Sequence, residues 1–440
     1  MKVLIQLRSS PQAHAAAMSS VPAAPLTAML EAANLALTID QSYPPVQLPK
    51  VMTATGAAMH SFSQPVTFSL EVAESTYLVR GAIPDDASAY EAVVSHPDVV
   101  GVFSDPLIES TIVCPGNPAV GKDGDVAKLL AVSKLAAAGM DGTGVYLAIV
   151  DTGINLAHLQ GKERTPKLDT AQSWTPAGVA TTPGQHPVDH GTMCAYDAGI
   201  AAPAATLLDY AVLLSKTPGA TTMSGLLSDA VLAYSHLRTI LNAMPAASRA
   251  MVISNSWGMF APAWDFPPGH PGNYSDNPNH PFNVMVANLE AAGADILFAA
   301  GNCGRDCPDS RCSFGTTLPI CGANSHPAVL SIAGVDIHKS RVGYSSQGPG
   351  RLSAKKPDVS AYTHFEGSGV YPADSGTSAA CPVAAGVVAA IRSKSSTAKL
   401  SPLQLRLLLL KTATDKGRKG FDYDYGWGIL NPGKLAPLLP

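Results

Sequence analysis

The sequence predicts an α/β fold in which helices cover both faces of a mostly parallel sheet, preceded by a smaller α/β module. Three observations lead there. From about Val126 onward, short apolar runs alternate with segments whose apolar residues recur every three or four positions. That is the pattern of βαβ units and therefore of a parallel sheet. Residues 1–113 have a different texture, with a strand–helix–strand signature of their own at 77–103. Between the two regions, residues 114–125 hold three glycines and two prolines and read as a linker.

Taken in order, residues 2–7 form a strand, followed by a long Ala/Pro/Ser-rich stretch over 9–64. A strand at 77–83, a helix at 86–95 and a strand at 99–103 complete the first module. In the larger region, 126–440, buried strands are expected at 145–150, 206–213, 250–254, 295–300 and 328–333. Leu226, Leu227, Ala230, Val231, Tyr234, Leu237 and Leu241 mark one helix by their spacing. A second, at 282–292, stops at Gly293, a C-cap residue. An apolar helix covers 383–391, and Ser401-Pro402 supply the cap and first turn for a helix over 403–412.

Composition narrows the function classes. Of 440 residues, 29 are Lys or Arg and 33 Asp or Glu, for a formal charge of −4. Such a balance offers no basic face for nucleic acid. At 14% charged residues, the chain is also unlike a solvated disordered polymer. Its 38 glycines and 36 prolines exceed the ~12% combined norm, so many tight turns are expected. No window reaches the ~18–20 uninterrupted apolar residues of a membrane span. Only Val3, Leu4 and Ile5 follow Met1-Lys2 before Gln6, too short for a signal-peptide core. As written, the chain is expected to be cytoplasmic.

Active sites of parallel α/β sheets collect at the carboxyl ends of the strands. The first strand of the larger region ends in Asp151-Thr152-Gly153, and another runs into Ala300-Gly301-Asn302. Asp189-His190-Gly191-Thr192 holds a histidine at a glycine turn, and Ser375-Gly376-Thr377-Ser378 opens the apolar helix. Singly, each has a bland explanation: an acidic turn, a conformational Asn, a structural His, a serine N-cap. Together they are the inventory of nucleophilic acyl transfer. A serine hydroxyl needs a neutral imidazole to take its proton. The imidazole needs a carboxylate on its other nitrogen. The developing oxyanion needs donors, and an Asn amide plus a backbone N–H serve.

The order Asp151, His190, Asn302, Ser378, in the texts IVDTGI, HGTMCA, FAAGN and SGTSAACPVAAG, resembles the subtilisin-like serine proteases, or subtilases, over about residues 130–432. GIAAPAATL at 199–207, NSWG at 255–258, KPDV at 356–359 and YGWG at 425–428 resemble further landmarks of that family. The resemblance implies a three-layer αβα fold and a serine endopeptidase. Ser378 would be the nucleophile, His190 the general base, Asp151 its orienting acid and Asn302 the oxyanion donor. Ser256, Trp257, Gly258, Ala300 and Gly301 would line the substrate cleft. The stretch after His190 is shorter than the pattern. SGTSxxxP is shared with the acid-active sedolisins, but HGT and AAGN are not theirs. Asp189, adjacent to His190, is a second candidate for the orienting acid, with awkward geometry.

Residues 77–105 resemble the end of a subtilase propeptide, a module that chaperones folding and blocks the cleft. Domain 1–113 is then the enzyme's own inhibitor, the linker 114–125 holds the processing site, and 126–440 is catalytic. A permanently attached accessory domain is the alternative. Cys303, Cys307, Cys312 and Cys321 crowd behind Asn302. Two disulfides are expected there, with the pairing open, against a zinc knot that lacks the usual C-x2-C pairs. Disulfides would suit an oxidising compartment. Cys194 resembles the free thiol beneath the histidine in the proteinase K-like branch, and Cys381 reads as packing. The expected partner is a peptide or protein substrate, with neither nucleic acid nor membrane. No cofactor is required. Structural calcium is a family trait for which the sequence offers no ligand cluster. Competing readings are a non-catalytic peptide-binding scaffold, a protease dedicated to one precursor peptide, and a redox or metal protein built on the cysteine loop.

Overall fold

The structure is a computed structural model that describes residues 1–10, 35–48, 76–110, 113, 118–214, 223–313 and 317–439. Most of the Ala/Pro/Ser-rich stretch, and linker residues 114–117, lie outside them. The chain divides into two compact units, Met1–Ser104 and Asp105–Pro440.

The smaller unit contains β1 (Lys2–Arg8), β2 (Thr38–Ile39), β3 (Val46–Leu48), β4 (Thr76–Ala82), α1 (Ala87–Val94) and β5 (Val99–Ser104). Strand β1 lies between β4 and β5, antiparallel to both, and β2 and β3 each pair with β4. Val3, Leu4, Ile5 and Leu7 of β1 are buried. Asp86 caps α1 by accepting from Ser88 N at 2.8 Å, and the helix buries Ala89 and Val93.

The strands of the larger unit are β6 (Leu107–Ser110), β7 (Tyr146–Val150), β8 (Lys167–Leu168), β9 (Thr206–Tyr210) and β10 (Ser224–Leu226). They continue with β11 (Met251–Asn255), β12 (Trp257–Gly258), β13 (Ala294–Ala299), β14 (Leu330–Val335) and β15 (Val359–Tyr362). Its principal helices are α2 (Asp123–Leu129), α3 (His190–Ala198), α4 (Leu227–Ala243), α5 (Pro281–Ala291), α6 (Thr377–Arg392) and α7 (Pro402–Thr412). Seven strands form a parallel sheet in the order β15-β14-β13-β11-β7-β9-β8. Strands β11, β13, β14 and β15 are buried throughout, as a sheet covered on both faces requires. The order reverses at β7, and the crevice beyond its carboxyl end is where such sheets place ligands.

The five strands expected from apolar runs are present, displaced at their ends by a few residues. Ser401 caps α7 as expected, and with Gln404 it forms a capping box. Several elements differ from the expectation, β15 and α6 among them. Strand β15 is not among the strands expected from apolar runs; the KPDV motif at 356–359 leads into it. Helix α6 starts at Thr377, earlier than its apolar core indicates, because packing overrides the modest helix propensity of Thr and Ser. Every residue of α6 is buried. At its far end Arg392 makes a bidentate pair with Asp295 of β13, at 2.6 and 2.7 Å. The unit boundary also falls at Ser104, not at 113, because β6 pairs antiparallel with β10 and β12 of the larger unit.

Candidate active site

Strand β7 ends at Val150 and delivers Asp151, which is 1% exposed. Its Oδ1 accepts from Thr152 N at 2.8 Å and sits 2.8 Å from Nδ1 of His190. Helix α3 opens on His190. Asp189 is spent as that helix's cap, accepting from His190 N at 2.8 Å and from the Tyr371 hydroxyl at 2.6 Å. The structure therefore brings Asp151, rather than Asp189, onto the imidazole. The approach of α3 to the turn after β7 needs a residue without a side chain: a Cβ on Gly191 would lie 2.5 Å from the Gly153 carbonyl oxygen. Nε2 of His190 is buried without a hydrogen-bond partner. Burial disfavours the imidazolium, but the Asp151 carboxylate, helped by Asp189, outweighs it and holds the His190 pKa above its usual 6.5.

Ser378 stands in the first turn of α6, entered through Gly376 at φ +79°, a left-handed conformation natural to glycine. Four residues on, Pro382 lies inside the helix and has no N–H to give the Ser378 carbonyl. That carbonyl is satisfied from outside. Ser256 Oγ donates to it at 3.0 Å, and Cys194 Sγ lies 3.5 Å away. The same sulfur is 3.7 Å from Asp151 Oδ2 and 3.8 Å from His190 Nδ1. Burial pushes the Cys194 thiol well above its ordinary range, so it remains a thiol. Thus the expected nucleophile, base and acid converge around one buried sulfur. The Ser378 hydroxyl lies 3.5 Å from the Ser256 carbonyl.

Asn302 follows β13. Its Oδ1 accepts from Thr377 N at 2.9 Å and Thr377 Oγ1 at 3.1 Å, so the amide is oriented with its NH2 as the donating end. Gly301 N donates to Thr377 Oγ1 at 3.0 Å. The turn after β13 is thereby clamped to the start of α6, beside Ser378, where the helix terminus directs backbone N–H groups outward. Ala300, Gly301 and Gly258 line one small recess. Trp257 is fully buried, its ring packed edge-on against Phe298 at 5.1 Å. It contributes backbone to the cleft and floor to the core. Asn324 Nδ2 joins the two edges, donating to Trp257 O at 2.8 Å and Ala299 O at 2.9 Å.

A strand runs through this cleft. Leu107–Ser110 is the middle member of the second sheet, with Ser110 opposite Trp257 and Glu109 opposite Gly258. On its other side Glu109 faces Ser224, Ile108 faces Gly225 and Leu107 faces Leu226. Ser110 N donates to Met223 O at 3.0 Å. An extended chain segment is therefore held on both edges by main-chain bonds, next to Ser256 and so to Ser378.

The family model described as the Subtilase family matches residues 142–428. The chain belongs to the subtilase family. Subtilisin DY of Bacillus licheniformis is 27% identical over 310 residues, covering 69% of this chain and 94% of that protein. Subtilisin E of Bacillus subtilis is 27% identical over 293 residues, 67% of this chain and 66% of its own length. Fervidolysin of Fervidobacterium pennivorans is 25% identical over 317 residues, 66% of this chain and 40% of the relative. The seven-strand parallel sheet flanked by helices is the subtilisin-like three-layer fold, and the family's chemistry is that of serine endopeptidases.

In this subtilase the cysteine loop differs from the expectation of two internal bridges. Cys303 pairs with Cys312. Cys307 is also disulfide-bonded. Cys321 is a buried free thiol. It is turned into the cleft wall, 3.6 Å from the Met259 carbonyl, and burial lifts its pKa to about 12. Arg311, inside the Cys303–Cys312 loop, is not among the residues expected from sequence. Its Nη1 donates to Glu109 Oε2 at 2.7 Å and its Nη2 to Ser110 O at 2.8 Å. Nothing local marks that pairing, since the partners are 202 residues apart. Strand β10, Ser224–Leu226, carries no signal of its own in the sequence, because Leu226 fits the apolar spacing of α4.

Proposed function

We propose that this subtilase hydrolyses peptide bonds through Ser378, His190 and Asp151, and that it is made as a zymogen held by its own N-terminal region. The observation that carries the reading is Leu107–Ser110 lying as a middle strand beside a buried Asp–His pair and the nucleophile's helix. As Ser378 Oγ turns from the Ser256 carbonyl and attacks the substrate carbonyl carbon, His190 Nε2 takes its proton. Asp151 holds the Nδ1–H tautomer and stabilises the imidazolium. The oxyanion is met by the Asn302 amide and the Ser378 backbone N–H. His190 then protonates the leaving amine. Water, deprotonated by the same imidazole, releases the acyl group from Ser378.

None of these steps calls for a cofactor. Among the described residues, Asp151, His190 and Cys194 bring three metal-binding atoms together; the first two serve the proposed reaction, and Cys194 lies beside them as a buried thiol. Residues 1–104 followed by the cleft strand form the inhibitory region, and the cut is expected between Ser110 and Asp125, a window partly outside the described residues. A fluorophosphonate probe tests the reading. It should label wild-type protein at Ser378 and fail to label His190→Ala. Equal labelling of both, or none of the wild type, would leave a binding scaffold as the better description. Replacing Asn302 by Ala should lower kcat by about 10²–10³ with KM nearly unchanged, measured on a fluorogenic peptide. A melting curve should accompany it, because Asn302 also anchors Thr377.

A further inference from the structure

The Cys303–Cys312 loop places a cation against the cleft strand. Asp309, whose side chain is fully buried, bonds Arg311 at Nε (3.1 Å) and Nη2 (2.6 Å). The guanidinium also lies over the Phe260 ring, 4.6 Å from its centroid. Asp309 N donates to Asn302 O at 2.8 Å, so the loop is anchored to the residue proposed as oxyanion donor. With one edge of the fork held by Asp309 and its face resting on Phe260, Arg311 points its remaining donors at the strand. These are the bonds to the Glu109 carboxylate and the Ser110 carbonyl given above. Both Arg311 and Glu109 are largely buried, with side chains 24% and 18% exposed.

We infer that Arg311 is a specificity-determining residue, selecting substrates with an acidic side chain at the place in the cleft that Glu109 occupies, opposite Gly258. The inference rests on the protease reading and deepens it. The backbone contact at Ser110 is indifferent to sequence, whereas the contact at Glu109 is not. A carboxylate accepts a charge-assisted bond, an amide a weaker one, and an ammonium group is repelled. Asp309 cancels much of the arginine's long-range field, so discrimination comes from contact and not from steering. About tenfold in favour of Glu over Gln is expected, and more over Lys.

The test uses twelve-residue peptides with the chain's own sequence from Asp105 to Gly116, Cys114 replaced by Ser. Position 109 is Glu, Gln or Lys. The enzyme is the protein as purified after expression of the whole chain and left to process itself, its active sites titrated with a fluorophosphonate. Wild type should cut the Glu peptide about tenfold better in kcat/KM than the Gln peptide. Arg311→Gln should bring that ratio to near one, and Arg311→Lys, which keeps charge but not the fork, should fall between. If Arg311→Gln does not fold, Arg311→Lys alone must still reduce the ratio. A wild-type ratio near one, or a ratio unchanged in the variants, would overturn the inference and leave the protease reading intact. So would a fluorophosphonate-reactive enzyme that cuts none of the three peptides. Absence of both labelling and cleavage would overturn the two together.

Discussion

Ser378→Ala should reduce kcat by about 10⁶, the scale known for the nucleophile of subtilisin itself, and should leave the 440-residue chain in one piece. In the proposed mechanism the hydroxyl oxygen receives the acyl group, and neither neighbour replaces it. Cys194, the nearest sulfur, is buried beneath the imidazole as a neutral thiol. Ser256 donates its hydroxyl to the Ser378 carbonyl. The fold should survive, because that carbonyl, not the hydroxyl, carries the bond from Ser256. Intact mass spectrometry of wild type and variant provides the reading. Wild type should lose its N-terminal region with a new terminus in 111–125, and the variant should remain at 45.3 kDa. A processed Ser378→Ala protein, purified free of other proteases, would refute self-cleavage. An unprocessed but fully active wild type would make the N-terminal unit an accessory domain.

Asp151→Asn should lower kcat by about 10⁴, as in other serine-protease triads, and should move the acid limb of the pH profile down. An asparagine that turns its NH2 toward Nδ1 imposes the wrong tautomer, with the proton on the nitrogen that must accept one. The direction of the pH effect follows from which form works. As the proposed base His190 acts only when neutral, so kcat/KM should rise with pH through its folded-state pKa. In the wild type that midpoint should lie above 6.5, because the Asp151 carboxylate outweighs burial. With the carboxylate gone, burial still favours the neutral ring, and the midpoint falls. Profiles from pH 5 to 9 on one peptide measure both. A limb unmoved by the substitution would mean that another group controls it.

Much of this site was readable because its members sit where parallel sheets put them. Asp151 and Asn302 each follow a continuous apolar run, and His190 and Ser378 each open a helix at a glycine. Those are local signals. The βαβ alternation likewise yields the sheet, since strands buried on both faces need no polar alternation. What stayed hidden depends on pairing across the chain. Arg311 meets Glu109 only because β6 is threaded between β10 and β12, and neither residue has a distinctive neighbourhood in sequence. The cysteine spacing allowed several pairings, and Cys321 proved to belong to the cleft wall. Pro382 stands directly ahead of the apolar run at 383–391. Its effect on the Ser378 carbonyl emerges only when Ser256 and Cys194 are seen to supply the missing donors.

The threading of Leu107–Ser110 between two strands has a consequence for what can be digested. With neighbouring strands about 4.8 Å apart, removing the middle one leaves a slot roughly 9–10 Å wide, with hydrogen-bonding groups on both walls. A helix is about 10–12 Å across with its side chains and has already committed its amides internally. It neither fits nor pairs. Only a segment that can adopt the extended form over about four residues, free of partners on both its edges, can take the place. A folded target must first release such a stretch, at its own free-energy cost for local opening. For this enzyme the vulnerability of a protein would then be set as much by how readily it frays as by the residues it displays.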